Sequence, residues 1–182
     1  MLGLKRGAVA LLPHDPEWET EGARTVNELR SVFGEMAVDI RHVGSTSVPT
    51  IPAKPIIDVA LAVRDLADVE PLLPTLRDMG YYDRPTELTD QLLLAKGSFY
   101  DGTGDLQTHF IHVVPEDSRQ WFDYLNFRRY LIECPDVAAE YAALKLSLAE
   151  AAPIDNGREK YLAGKHDFIT RTLDAARALY GR

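Results

Sequence analysis

Residues 42–63 constrain the fold of this chain more than any other segment, and they have the sequence HVGSTSVPTIPAKPIIDVALAV. The segment begins as the end of a strand, turns through a glycine and three hydroxyl residues, and continues as a second strand at residues 56–63. That second strand is almost entirely apolar, as expected for a central strand that is covered on both faces. It carries Asp58, and a carboxylate on a buried strand is costly unless it is paired or holds a metal ion. Asp58 is therefore the first candidate functional residue.

The loop between the two strands has the composition of a phosphate-binding turn. Gly44 allows the backbone to turn or to approach a ligand closely. The hydroxyl groups that follow can cap a short helix or donate hydrogen bonds to phosphate, and they belong to Ser45, Thr46 and Ser47. Lys54 is held near the start of the second strand by prolines, where it either neutralises a phosphate or remains a solvated loop charge. A glycine-serine turn is usually only a turn, but its place before an acid-bearing strand favours a phosphate and metal site.

Histidines flank this segment on two predicted strands. Residues 38–43 alternate as a strand, and His42 falls on its apolar side, as either a core histidine or a partner of Asp58 at a metal ion. Residues 91–96 and 106–114 are predicted to pair through the loop DGTGD.

The second of these paired strands contains His109 and His112. Because alternate residues of a strand point to opposite faces, the two histidines cannot both bind one ion, and only one of them faces the site. The residues alone leave open which one it is, and a purely structural role is equally open.

The last third of the chain is predicted to be helical. Ser118 caps a helix that Pro135 ends, and two more helices are expected near residues 136–151 and 157–179. Lys145 and Lys165 interrupt the apolar stripes of these two helices, while Arg158 precedes Tyr161 by one helical turn. Each lysine alone can bury its stem and expose its head. The repeated placement favours a cationic wall that faces the sheet, and Tyr161 either stacks on a base or simply packs.

The remaining elements are assigned from periodicity and from turn residues. Residues 17–33 and 66–79 are predicted helices, and residues 9–12 a short edge strand or an extended lead-in. Residues 81–88 are interpreted as irregular. His14 and Asp15 precede the first helix, where turn formation and capping explain them more simply than contact with a ligand.

Composition limits the possible functions. With 182 residues, 46% of them hydrophobic, residues 1–182 are predicted to form a single domain: residues 1–115 a sheet core with flanking helices, and residues 116–182 helical and packed on it. A net charge of -8 argues against long nucleic acid as the partner. No apolar run approaches the length of a membrane span, and the single Cys134 is consistent with a reducing compartment, so a cytoplasmic protein is expected. No pattern specifies an oligomeric state.

Several motifs together resemble one known family. HVGSTSVP and AKPIIDV are similar to the signature of the GrpB family, within the nucleotidyltransferase-like superfamily. PHDPEW and HFIHVV fit the same pattern in the same order, as do later residues of the helical third: Arg128, Tyr130, Tyr141, Leu144, Lys145, Tyr161 and Lys165. The resemblance covers nearly the whole chain. It implies an α+β fold, with a nucleotidyltransferase-like mixed β-sheet flanked by helices and a helical C-terminal third.

The resemblance also implies a site. Mg²⁺ or Mn²⁺ is expected on Asp58, with His42 or His112 as a further ligand, and the HxHV element favours His112 as the catalytic partner of Asp58. Phosphate or nucleotide binding is implied for Gly44, Ser45, Thr46, Ser47, Lys54, Lys145, Arg158, Tyr161 and Lys165. The second acid of the active superfamily pattern, two residues after Asp58, is replaced by Ala60, so the usual two-metal arrangement is incomplete.

Two functions follow from the resemblance. One is an enzyme that transfers a nucleotidyl group from a nucleoside triphosphate to a small acceptor with the help of a metal ion. The other is a non-catalytic module that binds a nucleotide or a phosphorylated metabolite such as a coenzyme A precursor, since related domains occur joined to dephospho-coenzyme A kinase. The analogy of fold favours the enzyme slightly, and in both cases the expected partner is a small molecule.

Overall fold

A computed structural model of the protein describes residues 2–86, 90–97, 106–152 and 157–182. Its strands are β1 (Leu4–Lys5), β2 (Ala37–Val43), β3 (Ile57–Val63), β4 (Tyr81–Arg84), β5 (Leu92–Gly97) and β6 (Leu106–Pro115). Its α-helices are α1 (Glu17–Phe33), α2 (Leu73–Asp78), α3 (Arg119–Glu133), α4 (Pro135–Glu150) and α5 (Gly157–Tyr180). Short 3-10 helices occupy Gly34–Met36, Ser45–Ser47 and Leu66–Leu72. In these ranges no helix is both long enough and apolar enough to cross a membrane.

The strands form one mixed sheet in the order β2-β3-β6-β5-β4. β3 and β6 are parallel, and the other neighbouring strands pair antiparallel. β1 pairs with the first residues of β6, ahead of the stretch of β6 that pairs with β3. The predicted α+β class is confirmed, and the acid-bearing strand β3 is central, as its continuous apolar sequence indicated.

One face of the sheet is covered by α1. Side chains of β3 on this face, such as Val59 and Leu61, form one core cluster with Trp18, Leu29 and Phe33. α1 begins where the Asp15 carboxylate accepts a hydrogen bond from the Glu17 amide at 3.0 Å, so the predicted helix and its capping residue are confirmed. Burying large apolar side chains contributes roughly 1.5–3 kcal/mol each, so this cluster stabilises the fold substantially.

The opposite face is covered partly by α3. Ala60 and Ala62 of β3 lie in a cluster with Val43, Val114 and Trp121. Ala60 has no exposed surface. The resemblance expects an acid at this position, and a carboxylate here would be buried among apolar side chains. Alanine is the residue that suits the packing of the α3 face.

The three C-terminal helices pack on the loop that follows the glycine-serine turn. Val48 and Ile51 of this loop share a cluster with Leu131, Tyr141 and Phe168 from α3, α4 and α5. The rings of Tyr141 and Phe168 are stacked, with centroids 4.8 Å apart. The helical third thus fixes the loop from outside the sheet.

Local differences from the sequence prediction come from long-range contacts. Residues 81–84 form β4 rather than irregular structure, because Tyr81 is buried against α1 and its hydroxyl donates to Glu28 at 2.8 Å. Residues 9–12 make an extended lead-in with a single bridge from Leu12 to Ala53. The predicted helix over residues 66–79 is 3-10 up to Leu72, with Pro71 inside it, and α-helical only afterwards. The DGTGD loop lies outside the described residues.

Candidate phosphate-binding site

A cavity of about 240 Å³ opens between the glycine-serine loop, the α3 face of the sheet and α5. Within the described ranges, four cationic side chains line it, and they are Lys5, Lys54, Arg158 and Lys165. Among the described residues that line it, Asp58 is the one carboxylate. Apolar side chains complete the wall, including Leu4, Ile56, Leu93, Phe110 and Leu162. In a chain with a net charge of -8, this local excess of positive charge produces a potential that attracts anions.

The glycine of the loop packs directly against the acid of β3. Gly44 has a φ of +68°, and a Cβ atom on it would lie 2.5 Å from Oδ2 of Asp58. Both the left-handed backbone and the close approach require glycine here. The turn and the acid, which the sequence linked only by spacing, therefore form one structural unit.

The three hydroxyl residues after Gly44 have different roles. Ser45 and Thr46 line the cavity. The Thr46 hydroxyl donates to the carbonyl oxygen of Ile56 at 3.3 Å, which ties the loop to the start of β3. Ser47 does not line the cavity, and its hydroxyl donates to the Gly44 carbonyl oxygen at 2.7 Å. Of the predicted phosphate-binding hydroxyls, the structure thus places two at the cavity and one in the support of the turn.

Lys145 supports the same loop from behind. Its ammonium group donates to Ser45 Oγ at 3.1 Å and to the carbonyl oxygen of Pro52. It is 1% exposed and does not line the cavity, so it contacts Ser45 rather than the space where a phosphate fits. Burial, with a smaller contribution from the charge of Lys165, lowers the pKa of Lys145 to about 7. The Ser45 hydroxyl also makes a hydrogen bond with Tyr141 of α4, so two residues of this helix hold it in place.

Tyr161 and two lysines form the side of the cavity nearest α5. The Nζ atoms of Lys54 and Lys165 lie 4.4 Å and 4.5 Å from the centroid of the Tyr161 ring. Burial and then the charge of Lys165 lower the pKa of Lys54 to about 8. Burial also lowers the pKa of Lys165 to about 8, although the Asp58 carboxylate opposes the shift. Burial lowers the pKa of Arg158 as well.

The acid of β3 faces the histidine of β6. Oδ1 of Asp58 lies 3.5 Å from Nε2 of His112. The Tyr124 hydroxyl donates to Oε1 of Gln91 at 3.1 Å, so its oxygen accepts the hydrogen bond from Nδ1 of His112 at 2.9 Å. A neutral His112 therefore carries its proton on Nδ1 and presents the lone pair of Nε2 to Asp58. Two acceptors face each other at the cavity, where a hydrogen-bond donor or a cation would stabilise both.

The other two candidate histidines lie on the α1 face. His42 pairs with Val59 in the sheet, and a Cβ atom on Gly22 of α1 would lie 2.3 Å from its Nδ1. Its Nε2 donates to Oγ1 of Thr46 at 2.9 Å, since the Thr46 proton goes to Ile56. The structure therefore does not bring His42 and Asp58 together at one metal ion. Burial lowers the pKa of His42 to about 4.

His109 also faces α1, where Nε2 lies 3.1 Å from Oε1 of Glu21. The strand periodicity predicted that only one of the two histidines of β6 faces the site, and His112 is the one that lines the cavity.

The side chains of the chain itself do not complete a metal site. Asp58 and His112 supply one carboxylate and one imidazole, whereas Mg²⁺ prefers six oxygen ligands. Within the described ranges, no group of three His, Cys, Asp or Glu side chains is placed to hold a metal ion. A Mg²⁺ or Mn²⁺ ion here would depend on oxygens of a bound ligand.

Sequence reasoning missed Lys5, Tyr124 and Gln91. Lys5 reaches the cavity because β1 pairs with β6, and a two-residue strand has no periodicity to reveal it. Tyr124 lies on α3, and Gln91 stands just before β5. Tyr124 contacts His112, Gln91 contacts Tyr124, and no local pattern marks either residue.

Comparison with known structures defines the class of the fold first. The chain superposes on the Cid1 poly(U) polymerase bound to MgGTP with a TM-score of 0.51 and 12% identity, covering 76% of this chain and 43% of that one. At that identity the likeness shows the fold alone, and it confirms the predicted nucleotidyltransferase-like mixed sheet flanked by helices.

Within that class, the chain belongs to the GrpB family. The model of this family, described as "GrpB protein", matches residues 8–175. It is 35% identical to the glutamate-rich protein GrpB of Alkalihalophilus pseudofirmus, over 96% of this chain and 99% of that one. The crystal structure of conserved protein GrpB from Enterococcus faecalis superposes with a TM-score of 0.82 at 30% identity, over 95% of this chain and 100% of that chain. A dephospho-CoA kinase of Mycolicibacterium paratuberculosis is 33% identical over 91% of this chain, which spans 45% of that protein.

Proposed function

We propose that the cavity binds the phosphate groups of a nucleotide or of a related phosphorylated metabolite. The observation that carries the proposal is the set of four cationic side chains, with Asp58 as the one acid among the described lining residues. The hydroxyls of Ser45 and Thr46 stand at the same wall and add polar groups that can contact phosphate oxygens.

These cations are held close together and partly out of water. Burial lowers the pKa of both Lys54 and Lys165, and the charge of Lys165 lowers that of Lys54 further. Charged groups that lose hydration and repel one another cost folding free energy, and a polyanion between them would offset that cost. A phosphorylated ligand fits this requirement better than a neutral one.

Coenzyme A precursors are reasonable candidates among phosphorylated metabolites. The support is the similarity to the dephospho-CoA kinase of Mycolicibacterium paratuberculosis, in which this chain matches a part of the whole protein. Because a sequence related to this chain forms part of a protein named dephospho-CoA kinase, we test whether this chain binds a ligand of the same chemical class.

Transfer of a nucleotidyl group is the second candidate function. The observation that favours it is the position of Asp58, on the central strand of a nucleotidyltransferase-like fold, 3.5 Å from His112 at the cavity. A bound divalent ion would supply Lewis-acid activation of a phosphate in such a reaction. Asp58 would orient the ion or the acceptor, and the lysines would hold the phosphates.

The test is a thermal-shift and calorimetric comparison of ATP and dephospho-coenzyme A, each with and without Mg²⁺ or Mn²⁺. A ligand that binds only the folded state raises the melting temperature. We expect both methods to show binding by the intact protein and a loss of affinity of roughly tenfold in Lys165→Met. The control is Lys160→Met, which removes an exposed lysine of the same helix and leaves binding unchanged.

Asp58→Asn separates the two candidate functions. A metal-independent shift that survives this substitution indicates a binding module, and affinity then rises because one negative charge near the phosphates is gone. A metal-dependent shift with ATP that vanishes in Asp58→Asn supports nucleotidyl transfer. If no phosphorylated compound binds the intact protein, the phosphate-binding proposal is wrong.

A further inference from the structure

The ring of Tyr161 is the contact point of two lysines that come from different parts of the chain. Lys165 lies four residues later on α5, so helix geometry brings the two side chains together. Lys54 comes from the loop before β3, and both lysines line the cavity. Both ammonium groups lie within 4.5 Å of the ring centroid, which is the geometry of cation-π contacts.

These contacts leave little of the Tyr161 ring for a ligand. The residue is only 2% exposed. Stacking of a nucleotide base requires an open ring face of about the same size as the base, and such a face is not available at this exposure. Phe110 also lines the cavity, and its ring is contacted by the guanidinium of Arg84 at 5.0 Å from the centroid.

The cavity is also too small to enclose a whole nucleotide. Its volume of about 240 Å³ is smaller than the roughly 300–1,000 Å³ of pockets that enclose a whole drug-sized ligand. A chain of two or three phosphates fits in such a space, and the rest of a nucleotide extends beyond it.

We infer that the cavity recognises the linear phosphate chain of its ligand independently of the base, and that Tyr161 is a positioning residue that holds Lys54 and Lys165 for this chain. The inference rests on the proposed phosphate-binding function. It defines the ligand class as small molecules that carry a linear diphosphate or triphosphate, with inorganic tripolyphosphate as the simplest member. Aromatic stacking on Tyr161, one of the two roles that the sequence left open, plays no part.

The experiment compares inorganic tripolyphosphate, ATP and adenosine by isothermal titration calorimetry with the intact protein. Tripolyphosphate is expected to bind within about threefold of the affinity of ATP, and adenosine at least about a hundredfold more weakly, since the cationic groups make the main contacts. This comparison needs no substitution and therefore does not depend on how a variant folds.

Two variants then test the role of the ring. Tyr161→Leu removes the aromatic quadrupole and is expected to weaken tripolyphosphate and ATP by the same factor, about threefold to tenfold. Tyr161→Phe keeps the ring face and is expected to stay within about twofold of the intact protein. Circular dichroism and thermal melting of both variants show whether the fold is retained.

Three outcomes would contradict the inference, and they differ in what else they affect. If Tyr161→Leu weakens ATP and leaves tripolyphosphate unchanged, the ring stacks on a base. If ATP binds the intact protein and tripolyphosphate does not, phosphate binding stands but base-independent recognition is wrong. If neither binds, the proposed function itself fails.

Discussion

The two faces of the sheet each carry one histidine of β6 beside a carboxylate, and the surroundings of the two pairs differ. On the α1 face, His109 contacts Glu21 at 3.1 Å and Thr108 at 2.8 Å. Arg24 also donates to Glu21, so the carboxylate has two partners within the protein. Hydrogen bonds from Arg24 lower the pKa of Glu21, which is therefore charged and paired at neutral pH.

On the cavity face, the pair of Asp58 and His112 is surrounded by an excess of cations. Lys54 and Lys165 contact a tyrosine ring, and burial lowers the pKa of both. Folding thus completes the charge pairing on the α1 face and leaves it incomplete on the cavity face. A site that awaits a ligand is expected to differ from structural surroundings in this way.

The largest expected effect concerns the glycine that joins the loop to the acid. Gly44→Ala places a Cβ atom 2.5 Å from Asp58 Oδ2 at a φ of +68°, and roughly 3 kcal/mol of unfolding free energy is expected to be lost. Gly80→Ala is the control, because Gly80 also has a positive φ of +87° but nothing lies within 4 Å of its Cβ position. It should cost only about 1 kcal/mol. Urea unfolding measures both, and equal losses would show that the contact with Asp58 is unimportant.

The second prediction concerns acid sensitivity of the α1 face. Burial lowers the pKa of His42 from 6.5 to about 4, so the folded protein holds this histidine neutral while the unfolded chain binds a proton below pH 6.5. Its contribution to stability is present above pH 6.5 and is lost as the pH falls toward 4, by about 2 kcal/mol between pH 7 and 5. Chemical denaturation across this range measures how steeply the unfolding free energy depends on pH. His42→Gln keeps a donor for Thr46 and should make this dependence shallower. If the dependence is unchanged in the variant, a residue other than His42 causes the acid sensitivity.

Matched lysine substitutions compare the two faces directly. Lys96 on the α1 face donates to Glu28 at 2.7 Å, so Lys96→Met is expected to cost about 1–2 kcal/mol of unfolding free energy. Lys165→Met removes a cation that burial disfavours and that Asp58 only partly stabilises, so in the absence of ligand the stability should stay within about 0.5 kcal/mol or rise. Of the two variants, only Lys165→Met should weaken anion binding, by roughly tenfold. A larger loss of stability in Lys165→Met than in Lys96→Met would mean that the charge of Lys165 is already compensated by the protein without a ligand.

The sequence predicted the elements on both faces of the sheet that depend on local patterns. α1 begins and ends where the Asp15 cap and Gly34 indicated, and β3 is central as its apolar run indicated. β1 was not predicted, because it forms by pairing with the distant strand β6. β4 pairs with the next strand, β5, and was not predicted because the burial of Tyr81 against α1 is a long-range contact.

At the site, periodicity showed which helix face a residue occupies but not its depth. Lys145 and Lys165 interrupt similar apolar stripes, yet Lys165 lines the cavity and Lys145 lies behind Ser45. The strand alternation predicted that His109 and His112 face opposite sides of the sheet, whereas only the structure shows that His42 packs against α1.

The smallest expected effect changes one proton position and leaves stability almost untouched. Free histidine prefers its proton on Nε2, but here the Tyr124 oxygen accepts from Nδ1 of His112, because the Tyr124 proton goes to Gln91. Long-range nitrogen-15 correlation spectra should therefore show His112 as the Nδ1-protonated tautomer when it is neutral. Tyr124→Phe removes the acceptor and should shift His112 toward the Nε2-protonated form, while the spectrum of His109 stays the same. An Nε2-protonated His112 in the intact protein would contradict this arrangement, since that proton would then already bridge to Asp58 and the pair would need no donor from a ligand.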